Sequence, residues 1–374
     1  MRIIEEHQLD FNDLLIQPRR SPLNSRSEVS LFRTFEWTGI HGKANSLNCI
    51  PIIAANMASV GTPKMAKLLA KRGYLCALEK HIPVWDLERL YDELEELARK
   101  SKKPMNTYTQ RIMPTVGLND CTTQLDKLAE NHEVKCICID IPNGYVPSFT
   151  SRVQQIAGQH PDALIFAGNV VTGDISQDLV LARRCNSIHH TGKVGMCTKV
   201  GIGSGSACLT RLKTGVGRPQ ASAVIECADA CHQVNGLCCS DGGCCTPADI
   251  AKAFGCGADF VMLGGMLAGC EEAAGKVVYI NDKPHKEFYG MSSNLAQERH
   301  FGGRRPSSTS EGREKYIPVT GTLDEMLDDI EGGLKSACCY IGARELKNFP
   351  KCCTFYKVSN QLNMKFAECN NIKY

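Results

Sequence analysis

GLCCSDGGCCTPADIAKAFGCGADFVMLGG, residues 236–265, decides the architecture. It opens on a short apolar segment at 236–240, breaks at Asp241 and two glycines, runs through TPADIAKAFG and ends on a second apolar segment at 258–264. In the middle part Thr246 reads as a helix N-cap, Pro247 as the first helical residue and Gly255 as the stop. Both apolar segments are continuous rather than alternating, as strands covered on both faces are. The pattern is strand, helix, strand.

The same unit recurs along the chain. IPIIAA (50–55), GYLCAL (73–78), IMPTVG (112–117), VKCICID (134–140), ALIFAG (163–168) and residues 198–202 bring the strand-like segments to eight. Amphipathic stretches fill the gaps, most clearly 85–100, with Leu87, Leu90, Tyr91, Leu94 and Leu97 on one face. Eight such pairs in one α/β domain predict a (β/α)8 TIM barrel over residues 1–374, with a doubly wound open sheet as the alternative. After the eighth strand, GTLDEMLDDIEGGLKSA (321–337) predicts a late helix opened by a Thr322/Glu325 capping box. No low-complexity linker announces a second domain.

The chain of 374 residues carries 43 Lys plus Arg against 40 Asp plus Glu, a net charge of +3 without long blocks of one sign. That balance argues against nucleic acid or an anionic membrane as the main partner. The most apolar run, ADFVMLGGMLAG at 258–269, falls short of the about 20 residues that a bilayer helix needs. The N-terminus, MRIIEEHQLD, turns acidic where a signal peptide would carry its apolar core. The reading is a soluble, cytoplasmic protein. Its 21 cysteines are scattered through apolar segments and read as buried thiols in a reducing compartment. No C-x-x-C occurs, and Cys185, His189, His190 and Cys197 fit no common zinc spacing.

Several strand ends carry residues suited to binding rather than extension: Asn56, Lys80, Asp140, Asn169, Gly203, Asp241 and Gly264. In a barrel those ends share one rim. DGG at 241–243 and LGG at 263–265 supply free backbone N–H groups for a phosphate, or are turn glycines; Asp241 could hold ribose hydroxyls. VGIGSGSACLTR (200–211) is a glycine-rich loop that sets Cys208 among backbone dipoles, two residues before Thr210. Such surroundings favour a thiolate nucleophile, although Cys208 also reads as one more apolar filler. The loop misses the G-x-G-x-x-G dinucleotide spacing, no helix is expected to start in it, and its carbonyls could ring a monovalent cation. Glu311, in the polar, mobile-looking stretch 307–318, reads on its own as a solvated carboxylate.

Together these motifs resemble the IMP dehydrogenase and GMP reductase family. The resemblance is carried by LDFNDLLIQPRRS (9–21), SRSEV (25–29), PIIAANM (51–57), IDIPNGY (139–145), AGNVVTG (167–173), VGIGSGSACLTR, KTGVGRPQ (213–220), SDGG, AKAFGCGADFVMLGGMLAG, FYGMSS (288–293) and SEG (310–312). FYGMSS and LGGML, and the lack of room for the regulatory domain pair usually inserted after the second strand, resemble the reductase branch. That resemblance implies a single barrel with an N-terminal extension, a mobile flap near 295–318 and C-terminal helices, assembled as a homotetramer. It also implies reductive deamination of GMP to IMP and ammonia by NADPH, a purine salvage reaction. The alternatives are IMP dehydrogenase chemistry with NAD, or a catalytically impaired nucleotide-binding regulatory protein.

Carried over by position, the resemblance makes Cys208 the nucleophile, with Thr210 and Glu311 as its proton-handling pair. It assigns Asp241, Gly242, Gly243, Gly264, Gly265, Gly290, Met291, Ser292, Ser310 and Gly312 to the nucleotide. Ser25, Arg26, Lys80, Asp140, Ile141, Pro142, Ile202 and Gly203 go to the cofactor, and Gly203, Gly205 and Cys208 to a potassium ion. Four departures stand out. Ala58 and Ser59 follow Asn56 and Met57 where the family has Asp-Thr, Ser307 and Ser308 replace a Tyr-Arg pair, Asn294 replaces a glutamate, and about ten extra residues precede the sixth strand. Arg304 and Arg305 stand nearby as substitute cations.

Overall fold

In the computed structural model, which describes residues 3–184, 192–301 and 310–359, parallel strands run in order around a closed sheet. They are β1 (Ile52–Ala54), β2 (Leu75–Ala77), β3 (Ile112–Met113 and Thr115–Val116), β4 (Cys136–Asp140), β5 (Leu164–Val170), β6 (Met196–Val200), β7 (Leu237–Asp241) and β8 (Phe260–Leu263). The third strand is split because Pro114 has no N–H to give to the ladder. Its first half pairs with β2 and its second with β4, so the circuit closes across Pro114. The eighth strand returns to the first through Val261 beside Ile52. The predicted barrel is present, and the open sheet is excluded.

The helices that cover it are α1 (Pro63–Arg72), α2 (Val84–Lys100), α3 (Thr123–Asn131), α4 (Pro147–Gln159), α5 (Gly173–Arg184), α6 (Gln220–Gln233), α7 (Pro247–Gly255) and α8 (Leu323–Ile341). Two of their starts are the predicted ones. Thr246 and Thr322 each accept from a backbone N–H three residues on, while Asp249 and Glu325 reach back to close capping boxes. On α2, Leu87, Leu90, Tyr91 and Leu94 are buried and Leu97 is half-buried, one apolar stripe as the spacing requires. No helix among the described residues is long and apolar enough to cross a membrane.

A hairpin not foreseen from sequence, Arg33–Thr38 with Ala44–Cys49, plugs the N-terminal end of the barrel. Its Phe35 ring stacks 4.2 Å from that of Phe260 on β8, and Arg33 pairs with buried Asp259 at 2.6 Å. The opposite end is left open. Between β8 and α8 the chain adds a three-stranded antiparallel sheet, Val277–Ile280, Lys283–Tyr289 and Glu314–Pro318, and a helix, Asn294–Phe301. The stretch expected to be a flap is therefore anchored by a helix on one side and a paired strand on the other.

The sixth strand begins at Met196 rather than at 198 and ends at Val200, because Gly201 turns the chain away. A Cβ at Gly201 would stand 1.9 Å from the Asp241 carbonyl oxygen, so only glycine fits there. The β5–β6 ladder shifts register at Asn169, with Lys199 opposite Gly168 and Val200 opposite Val170. That bulge aims the Asn169 side chain at the open end of the barrel.

Candidate active site

The carboxyl ends of the strands and the loops after them enclose a cleft of about 340 Å³. β4 brings Asp140, Ile141 and Pro142; β6 leads into Gly201, Ile202, Gly203, Gly205 and Cys208; β7 brings Asp241, Gly242 and Gly243; β8 leads into Gly264 and Gly265. The added sheet contributes Gly290, Met291 and Ser292 from one strand end, and Glu311 and Gly312 from the residues before the other. Ser310 lies just outside this lining, its hydroxyl donating to the Ser292 carbonyl at 3.5 Å and the Gly312 carbonyl at 3.2 Å.

Within the cleft the half-buried Cys208 thiol donates to Thr210 Oγ1 at 3.1 Å, and that hydroxyl donates to Glu311 Oε2 at 2.7 Å. The backbone holds this row in place. Cys208 bridges to Gly312, the Leu209 N–H donates to the Glu311 carbonyl at 2.6 Å and the Arg313 N–H to the Ala207 carbonyl at 2.8 Å. Glu311 is thus no solvated surface group. A short helix, Thr210–Thr214, does start after the loop, against expectation: Thr210 enters it at once, and Gly215 in the left-handed region ends it.

Beneath the cleft lies a charged cluster that the motifs did not reveal. Lys199 on β6 is fully buried, its ammonium hydrogen-bonded to Asp140 Oδ1 and 3.6 Å from Asp241 Oδ2. Asn169 donates to Asp241 Oδ2 at 2.9 Å and to the Gly201 carbonyl at 2.8 Å. Burial pushes the Asp140 carboxyl up, but the Lys199 charge and hydrogen bond, with Asn56 and Lys80, outweigh it and hold the group below the ordinary aspartate range. At Asp241 burial wins over Lys199 and Asn169, and the group sits above that range. Asn169 itself lines the cleft, and its buried Oδ1 has no hydrogen-bond partner. A lysine in a strand reads as a surface residue, which is why Lys199 escaped notice.

The structure gathers Cys208, Thr210 and Glu311 with every expected nucleotide residue except Ser310, and with Lys80, Asp140, Ile141, Pro142, Ile202, Gly203 and Gly205. It does not bring Ser25 and Arg26 there. Ser25 caps the turn Arg26–Glu28, which packs against Arg344 just past the end of α8, at the other end of the barrel. Ser307, Ser308, Arg304 and Arg305, like Cys185, His189 and His190, lie outside the described residues. Most other thiols are core filler: burial pushes Cys49 and Cys256 up to about 12 and Cys138 up to about 11.

Comparison with known proteins gives the same grouping. A profile described as "IMP dehydrogenase / GMP reductase domain" matches residues 8–365. The chain is 44% identical over 376 residues to the GMP reductase of Yersinia pestis (strain Pestoides F), covering 98% of this chain and 99% of that protein. The GMP reductase of Yersinia pseudotuberculosis serotype O:1b (strain IP 31758) matches with the same identity and coverage. A barrel closed at one end by a hairpin, a cysteine–threonine–glutamate row at the other and a match along nearly the whole length converge: the chain belongs to the IMP dehydrogenase/GMP reductase family.

Proposed function

We propose that this protein is an oxidoreductase that converts GMP to IMP and ammonia with NADPH, a step of purine nucleotide salvage. The observation that carries the reading is the row Cys208–Thr210–Glu311, set in the same cleft as the paired glycines of β7 and β8. The N–H groups of Gly242, Gly264 and Gly265 take the phosphate, whereas the Gly243 N–H, expected from sequence to be free, donates to the Ser204 carbonyl at 3.0 Å and fixes the turn. Asp241, steadied by Asn169, accepts from the ribose hydroxyls, and Gly290, Met291, Ser292 and Gly312 border the base, with the Ser310 hydroxyl bonded to the Ser292 and Gly312 carbonyls just outside the cleft lining.

Chemistry begins at the thiol. Its proton passes through the Thr210 hydroxyl to Glu311 while Cys208 Sγ bonds to C2 of the purine. The C2 amine takes that proton back along the same row and leaves as ammonia, which gives a thioimidate between Sγ and C2. NADPH supplies the hydride that C2 accepts, and C–S cleavage then releases IMP and the thiolate. The balance is GMP, NADPH and two protons in; IMP, NADP+ and ammonium out.

Lys80, Asp140, Ile141, Pro142, Ile202 and Gly203 would hold the cofactor beside Cys208. They fit it: a cation, a carboxylate kept ionised and an apolar wall meet in one cleft. The carbonyls of Gly203, Gly205 and Cys208 are neutral oxygen donors, the type that suits a potassium ion ordering the loop. Because Ser25 and Arg26 lie at the far end of their own barrel, their part in cofactor binding goes with a tetramer, in which they would meet a neighbour's cleft. The deciding assay crosses GMP or IMP with NADPH, NADH and NAD at fixed potassium. Oxidation of NADPH only with GMP, yielding IMP, supports the proposal, and NADH formed from IMP and NAD would replace it with the dehydrogenase reaction.

A further inference from the structure

Next to the cleft is a second cavity of about 290 Å³. The two share Ser206, Cys244 and Gly265, so they meet at the end assigned above to the phosphate. Lys315, on the strand Glu314–Pro318, lines the second cavity and not the cleft. Its Nζ lies 5.4 Å from the centre of the Phe288 ring, which lines the cleft, so the ammonium stands on the side of the second cavity that borders the cleft. Among the described residues no carboxylate pairs with it; Asp329, the one carboxylate in the cavity lining, is exposed.

Two further features favour an anion here. Burial, with Arg313 adding to it and Cys245 opposing, draws the Lys315 pKa down, the mark of a cation short of counter-charge. Pro247, the first residue of α7, closes part of the wall, and the N–H groups around that helix start are already held by the Thr246 hydroxyl and the Asp249 carboxylate, which leaves Lys315 as the group that would meet an anion. Met266, Ile317, Pro318 and Met326 make the rest largely apolar, which strengthens any charge pair formed inside.

We infer that this cavity is a second-phosphate subsite: the protein takes a purine nucleoside 5′-diphosphate, its α-phosphate on the glycine cradle and its β-phosphate against Lys315. The inference rests on reading the cleft as the site for GMP. A diphosphate bound in this way occupies the base and ribose positions and competes with GMP.

The test is calorimetric titration of the intact protein with GMP and with GDP, in magnesium-free buffer containing potassium, repeated on K315M and K315R. GDP is expected to bind about tenfold more tightly than GMP, or ~1.4 kcal/mol. K315M should lose that advantage and K315R keep most of it, while GMP affinity and GMP turnover stay within about twofold of wild type in both. GDP binding no tighter than GMP in the wild-type protein overturns the subsite, whatever the variants do. K315M weakening GMP and GDP alike also overturns it, by placing Lys315 at the α-phosphate. Failure of GMP itself to bind is a different result, which overturns the reading of the cleft.

Discussion

The Thr210 hydroxyl donates to Glu311 Oε2 at 2.7 Å although the two residues stand 101 positions apart. The contact joins the glycine loop after β6 to the segment that precedes Glu314–Pro318. A threonine placed between a thiol and a carboxylate has the geometry of the proton path proposed above. E311Q and T210A should each lower kcat by about 10²-fold or more, the usual worth of such a group, while the affinity for GMP changes less than about threefold. Stopped-flow turnover and GMP titration check this; either variant within tenfold of wild-type kcat would remove the relay from the mechanism.

Lys199 should matter for folding as much as for binding. Replacing it with methionine leaves Asp140 and Asp241 facing each other without their shared cation. The loss should be about 3 kcal/mol of unfolding free energy, the lower end of what breaking a buried ion pair costs. The conservative K199R keeps the charge, but its larger head must enter a fully buried site, so only part of the loss is recovered. Urea denaturation of the three proteins measures both effects.

The plug at the other end of the barrel predicts a pH profile for stability. Burial raises the Asp259 pKa, yet the His232 hydrogen bond, Arg33 and the Cys238 N–H together hold it below its ordinary range. Its contribution is therefore complete above the unfolded value of about 3.9 and disappears as pH falls through the lower folded value. His232 is shifted the other way, raised by its hydrogen bond to Asp259 against the effect of burial. Its share is complete below about 6.5 and disappears as pH rises through the higher folded value. Unfolding free energy should thus be greatest between about pH 4 and 6.5. D259N should remove both limbs and cost about 3 kcal/mol, read from denaturation curves between pH 3 and 8.

The architecture was legible wherever local chemistry and tertiary structure agree. Thr246 and Pro247 open α7 as their types require, while Gly255, expected as the stop, is the last helical residue and Gly257, in the left-handed region, turns the chain; the continuous apolar segments proved to be barrel strands. The motif residues of the loops were legible too, since glycines at strand ends and a cysteine in a glycine loop are unusual enough to notice. What stayed hidden depends on burial, which no local pattern reports. Lys199 looks like an outward-facing residue until Asp140 and Asp241 are seen around it. Lys315 sits in a polar stretch and gains meaning only from the cavity it lines. The plugging hairpin alternates polar and apolar residues, as an ordinary edge hairpin would, and nothing local shows that Phe35 reaches Phe260.

Thiol labelling separates Cys208, the proposed nucleophile, from its many neighbours. Cys121 is exposed, and its pKa is lowered by the Thr123 hydroxyl and N–H, so it should react with iodoacetamide whether or not nucleotide is present. Cys49, Cys138 and Cys256 should stay unmodified in the folded protein, because burial holds them as thiols. Cys208 should be labelled in the free protein and protected by GMP. Peptide mass spectrometry reads all five sites, and labelling of Cys208 that ignores GMP would place the nucleotide elsewhere.

The most direct test of the central claim is the C208A variant, measured for GMP binding by calorimetry and for GMP-dependent NADPH oxidation in potassium buffer. The account predicts wild-type protein that forms IMP, and a variant that binds GMP within a few-fold of wild type but shows no turnover above background. C208A that still oxidises NADPH in response to GMP would contradict it.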